Sequence, residues 1–383
     1  MTKLLMLGGA GAMGSETTKD LVKTSDFSEI VLGDNDVEKA EKFASKLDDD
    51  RLSVIEVDAS DVDDLAEKME GFDIVASALP YRFDLNVTKA CVRTGVDGID
   101  LDNEEDQWDY NKEAKEKGIT YIPGCGATPG TTNLMARRGV ELLEEAEEVS
   151  ISFAAFRSTA IAPGLLQTTF AEFEPDIESR IYYENGKFIQ VPPLTGGKSV
   201  EFHEQIGKQE VVYIPHPETK TIPATFSNLN KVEVRGCFPP KTMELVKLLN
   251  EYDFYREEPI SVDDQQIKPL DFIRELLLNT PSAKKAPVWA YGLIVEVSGT
   301  YKEKPAKVTL KNNHPSMDKW GGKSAYGKNV GIPLSIGVQM LAEGKIDKKG
   351  VKPPEEAIKP TEFFEELSKR GIEIQEDFER YAS

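Results

Sequence analysis

Short apolar clusters recur along the first 125 residues, separated by stretches with helical spacing. Strands are predicted at 4–7, 29–33, 52–57, 73–77, 98–101 and 120–122, and helices at 37–47, 62–69, 84–94 and 104–117. Short, almost continuously apolar strands between helices imply a parallel sheet covered on both faces. After about Pro129 the pattern changes. Strands are expected at 150–156, 211–214 and 231–237, and a hairpin at 180–191 around Asn185-Gly186, a pair suited to a type I′ turn. Residues 289–297 and 306–311 predict a second hairpin, and 243–250 and 266–278 predict helices. This middle region reads as α+β with a mostly antiparallel sheet. Residues 322–331 read as a glycine-rich crossing, 332–342 as an apolar helix and 361–370 as a charged amphipathic helix.

The first strand runs into Gly9-Ala10-Gly11-Ala12-Met13-Gly14, a GxGxxG pattern that opens a helix. Gly9 permits the tight turn, Gly11 lets a pyrophosphate approach the backbone, and Gly14 allows close helix–strand packing. The amides of Ala12 and Met13 lie in the same turn. Asp34 stands twenty residues beyond Gly14, at the end of the second strand, where a carboxylate can accept hydrogen bonds from ribose hydroxyls. Asn35 and Asp36 follow, with no arginine for a 2′-phosphate, so NAD is expected in preference to NADP. Asp58-Ala59 ends the third strand, on the adenine side, where Asp58 or Ser60 can also cap a helix. Ala78-Leu79-Pro80 ends the fourth strand, on the nicotinamide side, followed by Tyr81. The fold expected is α/β. An N-terminal Rossmann doubly wound parallel sheet spans 1–127 and is completed by C-terminal helices in 328–383. An α+β domain for substrate binding and dimerisation spans 128–327.

Composition narrows the partners. Acids outnumber bases 67 to 46, for a net charge of −21. That excludes the basic footprint of a nucleic-acid binder and disfavours an anionic membrane surface. The three cysteines make no CxxC pair, so neither a disulfide framework nor a structural metal is expected, and the compartment implied is the cytoplasm.

Other candidates sit at loop positions. Asp102 and Asn103 end the fifth strand, either as helix caps or as ligands for an amino group. The loop Gly124-Cys125-Gly126-Ala127-Thr128-Pro129-Gly130-Thr131 is rich in backbone amides able to hold a carboxylate; Cys125 reads as a packing residue and Thr131 as a substrate contact. Arg157, Arg235 and Lys198 are candidate carboxylate binders or ion-pair partners for the abundant acids. Histidine as a residue type titrates near neutrality, so His203 and His216 can carry a proton or serve as structural hydrogen-bonders. His314 is a weaker candidate.

The segments GGAGAMG, SALPY, DLDN, GCGATPGTTNLMA, IPLSIGVQMLAEGKI and FFEELSKRGI together resemble the saccharopine dehydrogenase family across nearly the whole chain. Within it, SALPY and GCG resemble the lysine 6-dehydrogenase-like branch, although that branch's Asp-Leu-Gly-Gly stands here as Asp100-Leu101-Asp102-Asn103. The resemblance implies a two-domain enzyme with reversible hydride transfer at the CH–NH bond of an amino acid, NAD(P) as cofactor and a homodimeric assembly. Alternatives are a saccharopine or carboxynorspermidine reductase-type enzyme and a non-catalytic NAD-binding redox sensor. Asp102, His216 and Tyr81 are the catalytic candidates, and Asn103, Cys125, Thr131, Arg157 and His203 the substrate-binding ones.

Overall fold

The structure, a computed structural model, describes residues 2–380. The chain divides into two compact units. One comprises the chain up to Arg138 together with Gly327–Glu373, and the other Gly139–Tyr326 with the chain from Ile374.

The first unit is built on seven parallel strands. Six are β1 (Lys3–Leu7), β2 (Glu29–Asp34), β3 (Leu52–Glu56), β4 (Ile74–Ser77), β5 (Asp97–Asp100) and β6 (Thr120–Ile122). Their order across the sheet is β6-β5-β4-β1-β2-β3, the doubly wound order. Leu4, Leu5, Met6 and Leu7 are fully buried on both faces, as the central strand of a covered parallel sheet requires. The seventh strand, Gly350–Val351, pairs with β6 and was not expected. Two residues are too short to carry a period, and only the pairing partner defines them.

The residues read as a glycine-rich crossing are instead the start of a long helix, Ser324–Ala342. Its glycines serve close approach. A Cβ at Gly331 would sit 2.8 Å from the Thr17 amide nitrogen, and one at Gly327 3.0 Å from Glu16 Cγ. The helix therefore lies hard against α1 (Gly14–Thr24), and Thr17 Oγ1 donates to Gly331 O at 3.0 Å. Helix Pro360–Lys369 is amphipathic as expected and buries Phe363 and Leu367.

The second unit holds a nine-stranded sheet. Its members include β7 (Glu145–Phe156), β8 (Ile181–Glu184), β9 (Lys187–Gln190), β10 (Lys198–Glu201), β11 (Lys208–Tyr213) and β12 (Lys231–Cys237). The strands Ala290–Tyr301 and Lys304–Asn313 form the long hairpin. β12 runs parallel to β7, whereas β10 with β11, β11 with β12, β8 with β12 and β9, and the long hairpin with β7 are antiparallel. The turn between β8 and β9 has Asn185 and Gly186 at φ 49° and 80°, the left-handed pair the sequence called for.

The boundaries differ from the sequence expectation at two points. Helix Thr131–Leu142 begins in the first unit, which moves the break from 127/128 to 138/139. The last strand, Glu373–Arg380, joins the second sheet beside Lys304–Asn313, so the chain from Ile374 does not complete the first unit. Its polar alternation gave no sign of which sheet it would extend. Among the described residues, no helix is long and apolar enough to cross a membrane.

Candidate functional site

In the first unit, the GxGxxG segment forms the turn between β1 and α1. Gly8 adopts φ 66°, its amide donates to Gly33 O at 2.9 Å, and Gly11 N donates to Gly8 O at 2.9 Å. A Cβ on Gly14 would sit 2.3 Å from Gly8 O and 3.1 Å from Ala78 Cβ. Gly14 thus lets the helix start against the turn and against the end of β4. Gly9 is enclosed by Leu32, Met6 and Thr18. A Cβ on Gly11 would approach Gly8 O at 2.9 Å and Gly8 C at 3.9 Å. Met13 precedes α1 without a side-chain cap, so the uncapped helix start suits an anion. Ala12 is exposed, whereas Met13 is buried.

The strand ends around this turn carry the other cofactor candidates. Asp34 closes β2, and its Oδ1 accepts from the Asp36 amide at 3.1 Å; Asn35 is exposed. Asp58 Oδ1 accepts from Ser60 N at 2.9 Å and Ser60 Oγ at 2.6 Å, which holds its carboxyl below the ordinary carboxylate range. Asp58 thus shapes its own loop, and Ala59 is buried. Ala78 follows β4 and its amide donates to Leu7 O at 3.0 Å, which brings Ala78, Leu79 and Pro80 to the switch point between β1 and β4. Tyr81 begins the single turn Tyr81–Phe83. The turn, the uncapped helix and the acid closing β2 fit a dinucleotide.

The end of β5 is organised by an acid that sequence reasoning passed over. Asp100 is fully buried and accepts from Gln107 Nε2 at 2.7 Å, Tyr121 Oη at 2.8 Å and Gly124 N at 2.8 Å. Burial pushes its carboxyl up to about 7 against those three donors. Asp100 thereby ties the DLDN segment to the GCG loop. Asn103 is engaged locally, donating to Pro123 O at 3.4 Å and accepting from Trp108 Nε1 at 2.9 Å. Asp102 stands beside it, half-buried. Cys125 is fully buried with Sγ 3.6 Å from Pro333 O, and burial pushes its thiol up. Its side chain is a packing element. Thr131 is buried too, its Oγ1 donating to Gly126 O at 3.1 Å. The loop closes on itself, with Gly130 N donating to Asn133 Oδ1 at 2.8 Å.

The second unit gathers a buried polar cluster on one face of its sheet, at the carboxyl end of β7. Phe153 and Ala155 share that face with Arg157, because alternate residues of a strand point the same way, and Tyr291 lies opposite Ala155. Arg157 is 4% exposed. It donates to Leu165 O at 3.1 Å, Thr169 Oγ1 at 2.7 Å and Ser158 O at 3.5 Å, all neutral acceptors. Its Nε has no hydrogen-bond partner among the described residues. The rings of Phe238 and Tyr326 lie 5.2 and 5.7 Å from the guanidinium, and Tyr326 stacks on Tyr291 at 5.2 Å. Burial holds the Tyr291 hydroxyl well above its ordinary range, and Tyr326, Glu172, Arg157 and Glu218 all act on it.

His216 belongs to the same face. Its Nδ1 lies 2.9 Å from Oε2 of the fully buried Glu218, and its ring is 5.0 Å from Phe153. Gly236 makes room for that ring, since a Cβ there would sit 2.3 Å from Phe153 Cζ. Tyr291 and Tyr326 had no local signal in the sequence, and only the fold brings them to this face; Glu218 lies two residues beyond His216 in the same turn, and Thr169 twelve beyond Arg157.

The other cations and histidines are otherwise engaged. Arg235 pairs with Glu233 and donates to Gly196 O at 2.7 Å and to Tyr213 Oη at 2.8 Å. Lys198 pairs with Glu296 at 2.6 Å. Both expected carboxylate binders are thus neutralised within the sheet. His203 Nε2 meets Tyr291 O at 3.2 Å, and burial lowers its pKa. His314 Nε2 accepts from Tyr291 N at 3.1 Å and is pushed down to about 4, chiefly by burial. Asn312 likewise bridges Tyr291 O and Leu293 N. These side chains replace the ladder where backbone pairing between the two long strands stops, a structural duty that accounts for His203 without a substrate.

The chain matches the family described as saccharopine dehydrogenase NADP binding domain over residues 4–122, and that described as saccharopine dehydrogenase C-terminal domain over 126–372. A carboxyaminopropylagmatine dehydrogenase from Synechocystis sp. is 23% identical, with 96% of each chain covered. A carboxynorspermidine synthase from Vibrio alginolyticus is 22% identical, with 95% of this chain and 94% of that one covered. Among solved structures, a saccharopine dehydrogenase (L-Glu forming) from Saccharomyces cerevisiae has a TM-score of 0.69 at 16% identity, over 99% of this chain and 100% of that one. A homospermidine synthase from Legionella pneumophila in complex with NAD has a TM-score of 0.64 at 11% identity, over 99% and 92%. At these identities the structures speak for the fold.

Proposed function

This chain belongs to the saccharopine dehydrogenase family and is an NAD(P)-dependent oxidoreductase of that family, and we propose that its substrate is a secondary amine carrying both a carboxylate and a polyamine-like cationic tail. Support comes from the relatives, whose names specify carboxylated polyamines, and these relatives rank this reading above the lysine 6-dehydrogenase-type one. The observation that carries the proposal is Arg157, a buried guanidinium that, among the described residues, is bonded only to neutral acceptors. A buried cation without a counter-ion costs several kcal/mol. An anionic group arriving with the substrate removes that cost and gains a bidentate partner. The acidic surface attracts the cationic tail at long range.

Bound cofactor supplies the hydride acceptor or donor. The GxGxxG turn and the start of α1 would hold its pyrophosphate, Asp34 its ribose, and Ala78, Leu79 and Pro80 would border its nicotinamide end. Within the second unit, His216 would take the proton that leaves the substrate nitrogen and Arg157 would hold the carboxylate. Water then divides the resulting imine into carbonyl and amine; the reverse direction joins them. Asp102, at the end of β5, is the candidate holder of a substrate ammonium.

The test is nicotinamide absorbance with a panel of amines. Turnover is expected with carboxynorspermidine-type secondary amines, and in reverse with a carbonyl compound and a diamine together. Turnover on free L-lysine alone would replace this reading with the lysine 6-dehydrogenase one. NAD binding with no turnover on any amine would favour the sensor.

NAD is the proposed cofactor. Asp34→Ala is expected to weaken NAD by roughly tenfold to a hundredfold, the worth of a charged hydrogen bond, while leaving NADP unchanged or tighter. The carboxylate both accepts from the ribose and repels a 2′-phosphate. Calorimetry with each dinucleotide measures this, and equal losses for both would remove Asp34 from the ribose.

A further inference from the structure

Helix Pro163–Ala171 carries the acceptors that orient Arg157. Arg157 Nη2 donates to Leu165 O at 3.1 Å and to Thr169 Oγ1 at 2.7 Å. Thr169 Oγ1 itself donates to Leu165 O at 2.9 Å, so its hydrogen is used and it can only accept from Arg157. The aim of the guanidinium therefore depends on where this helix lies. The helix has nine residues, no side-chain cap at Ala162 and no basic residue in its last turn, so little of its own sequence holds it in place. A cation arrives from farther along the chain. Arg180 has no exposed surface, and its Nη2 donates to Glu172 O at 3.1 Å and to Glu174 O, two carbonyls just past the helix. We propose that Arg180 is a positioning residue for substrate binding: it fixes the C-terminal end of helix Pro163–Ala171, and through that helix the direction in which Arg157 meets the substrate carboxylate.

The bonding of Arg180 favours this assignment. Among the described residues its hydrogen bonds go only to those two backbone carbonyls. Burying a guanidinium with no carboxylate bonded to it is costly, and an apolar side chain would fill the space without that cost. An apolar side chain could not tie two carbonyls to one nitrogen or place a positive charge at a helix C-terminus. The carbonyl between them is tied as well, since Asn250 Nδ2 donates to Phe173 O at 3.1 Å. Phe173 gives a second route to the same guanidinium. It is fully buried, its ring lies 6.1 Å from that of Phe238, and the Phe238 ring lies 5.2 Å from the Arg157 guanidinium. A shift of residues 172–174 thus reaches Arg157 both through its acceptors and through the ring beside it.

The inference rests on Arg157 as the carboxylate anchor, and a double-mutant cycle separates the two. Arg180→Met removes the guanidinium and keeps an unbranched stem. KM for a carboxylated secondary amine is expected to rise by roughly tenfold or more, the scale of a displaced binding group. The kcat and the Kd for NAD should change little, and Arg180→Lys should recover part of the loss. In the Arg157→Ala background, Arg180→Met should raise KM no further, because the group it orients is gone. Unchanged KM in folded Arg180→Met, with or without a lower melting temperature, overturns the positioning role. So does a rise of the same size on top of Arg157→Ala. If Arg157→Ala alone leaves KM unchanged, the reading of Arg157 falls, and this inference falls with it. Should Arg180→Met fail to fold, Arg180→Lys measured in both backgrounds makes the same decision, since it keeps the buried charge and loses the planar fork.

Discussion

Arg157→Ala is expected to raise KM for a carboxylated amine by about a hundredfold or more while leaving the Kd for NAD unchanged. The magnitude follows from truncating one partner of a buried charged pair, which typically costs 2–5 kcal/mol, or ~30-fold upward. The free protein should respond much less. Arg157 loses bonds to Leu165 O, Thr169 Oγ1 and Ser158 O, which destabilises the segment 158–169. Removing it also removes a buried cation bonded only to neutral acceptors, which is favourable. The two effects oppose each other, so the melting temperature should move by only a few degrees. Arg157→Lys should not restore KM, because an ammonium lacks the planar fork that meets both carboxylate oxygens and cannot face Phe238 and Tyr326 in the same way. Steady-state kinetics with calorimetry for the cofactor tests this. Unchanged KM in Arg157→Ala would make Arg157 a clamp for helix Pro163–Ala171 and would remove the main support for the proposed substrate.

The second large effect is expected at the turn after β1, where two glycines should fail differently. In Gly14→Ala the new Cβ meets Gly8 O at 2.3 Å and Gly8 C at 3.0 Å. Both are backbone atoms within a turn pinned by Gly8 N to Gly33 O and Gly11 N to Gly8 O, so the helix start must move away. Overpacking of this kind costs roughly 1–3 kcal/mol of stability. Displacing the α1 amides should also weaken dinucleotide binding by about a hundredfold, because several backbone donors lose their aim together. In Gly11→Ala the clash is with a single atom, Gly8 O at 2.9 Å. Stability should fall by less than in Gly14→Ala, yet the methyl stands where the pyrophosphate passes, so affinity should still drop. Melting temperatures and calorimetry on both variants separate a packing glycine from a ligand-approach glycine. Equal melting temperatures for the two would show that α1 does not start as tightly as the geometry implies.

The two halves of the fold were unequally legible. Strands β1, β2 and β4 are apolar runs bounded by turns, and their burial on both faces leaves little else for them to form. The GxGxxG turn could be recognised because strand, glycines, helix and Asp34 all lie within one local unit. Helices Pro163–Ala171 and Glu218–Thr225 went unpredicted. Each begins beside a proline and is short, and the second contains Pro223, so local preference argues against them. Helix Ser324–Ala342 was cut at its glycines, which look like breakers in isolation. Their purpose shows only when Thr17 and Glu16 are found against them.

The candidate site divides along the same line. From the sequence came the parallel dinucleotide sheet, its glycine turn, the acid closing β2 and the family resemblance, because each is carried by neighbours in the chain. Three cations, Arg157, Arg235 and Lys198, looked alike there. The tertiary structure distinguished them: Arg235 meets Glu233, Lys198 meets Glu296 across the sheet, and Arg157 hydrogen-bonds, among the described residues, only to neutral groups. It likewise assigned His203 to a strand edge and buried the carboxylate that stands two residues beyond His216. Whether a charge is neutralised depends on which strand lies beside it and in what register. That is set by contacts between remote segments, whereas turn chemistry and strand burial are set by residues a few positions apart.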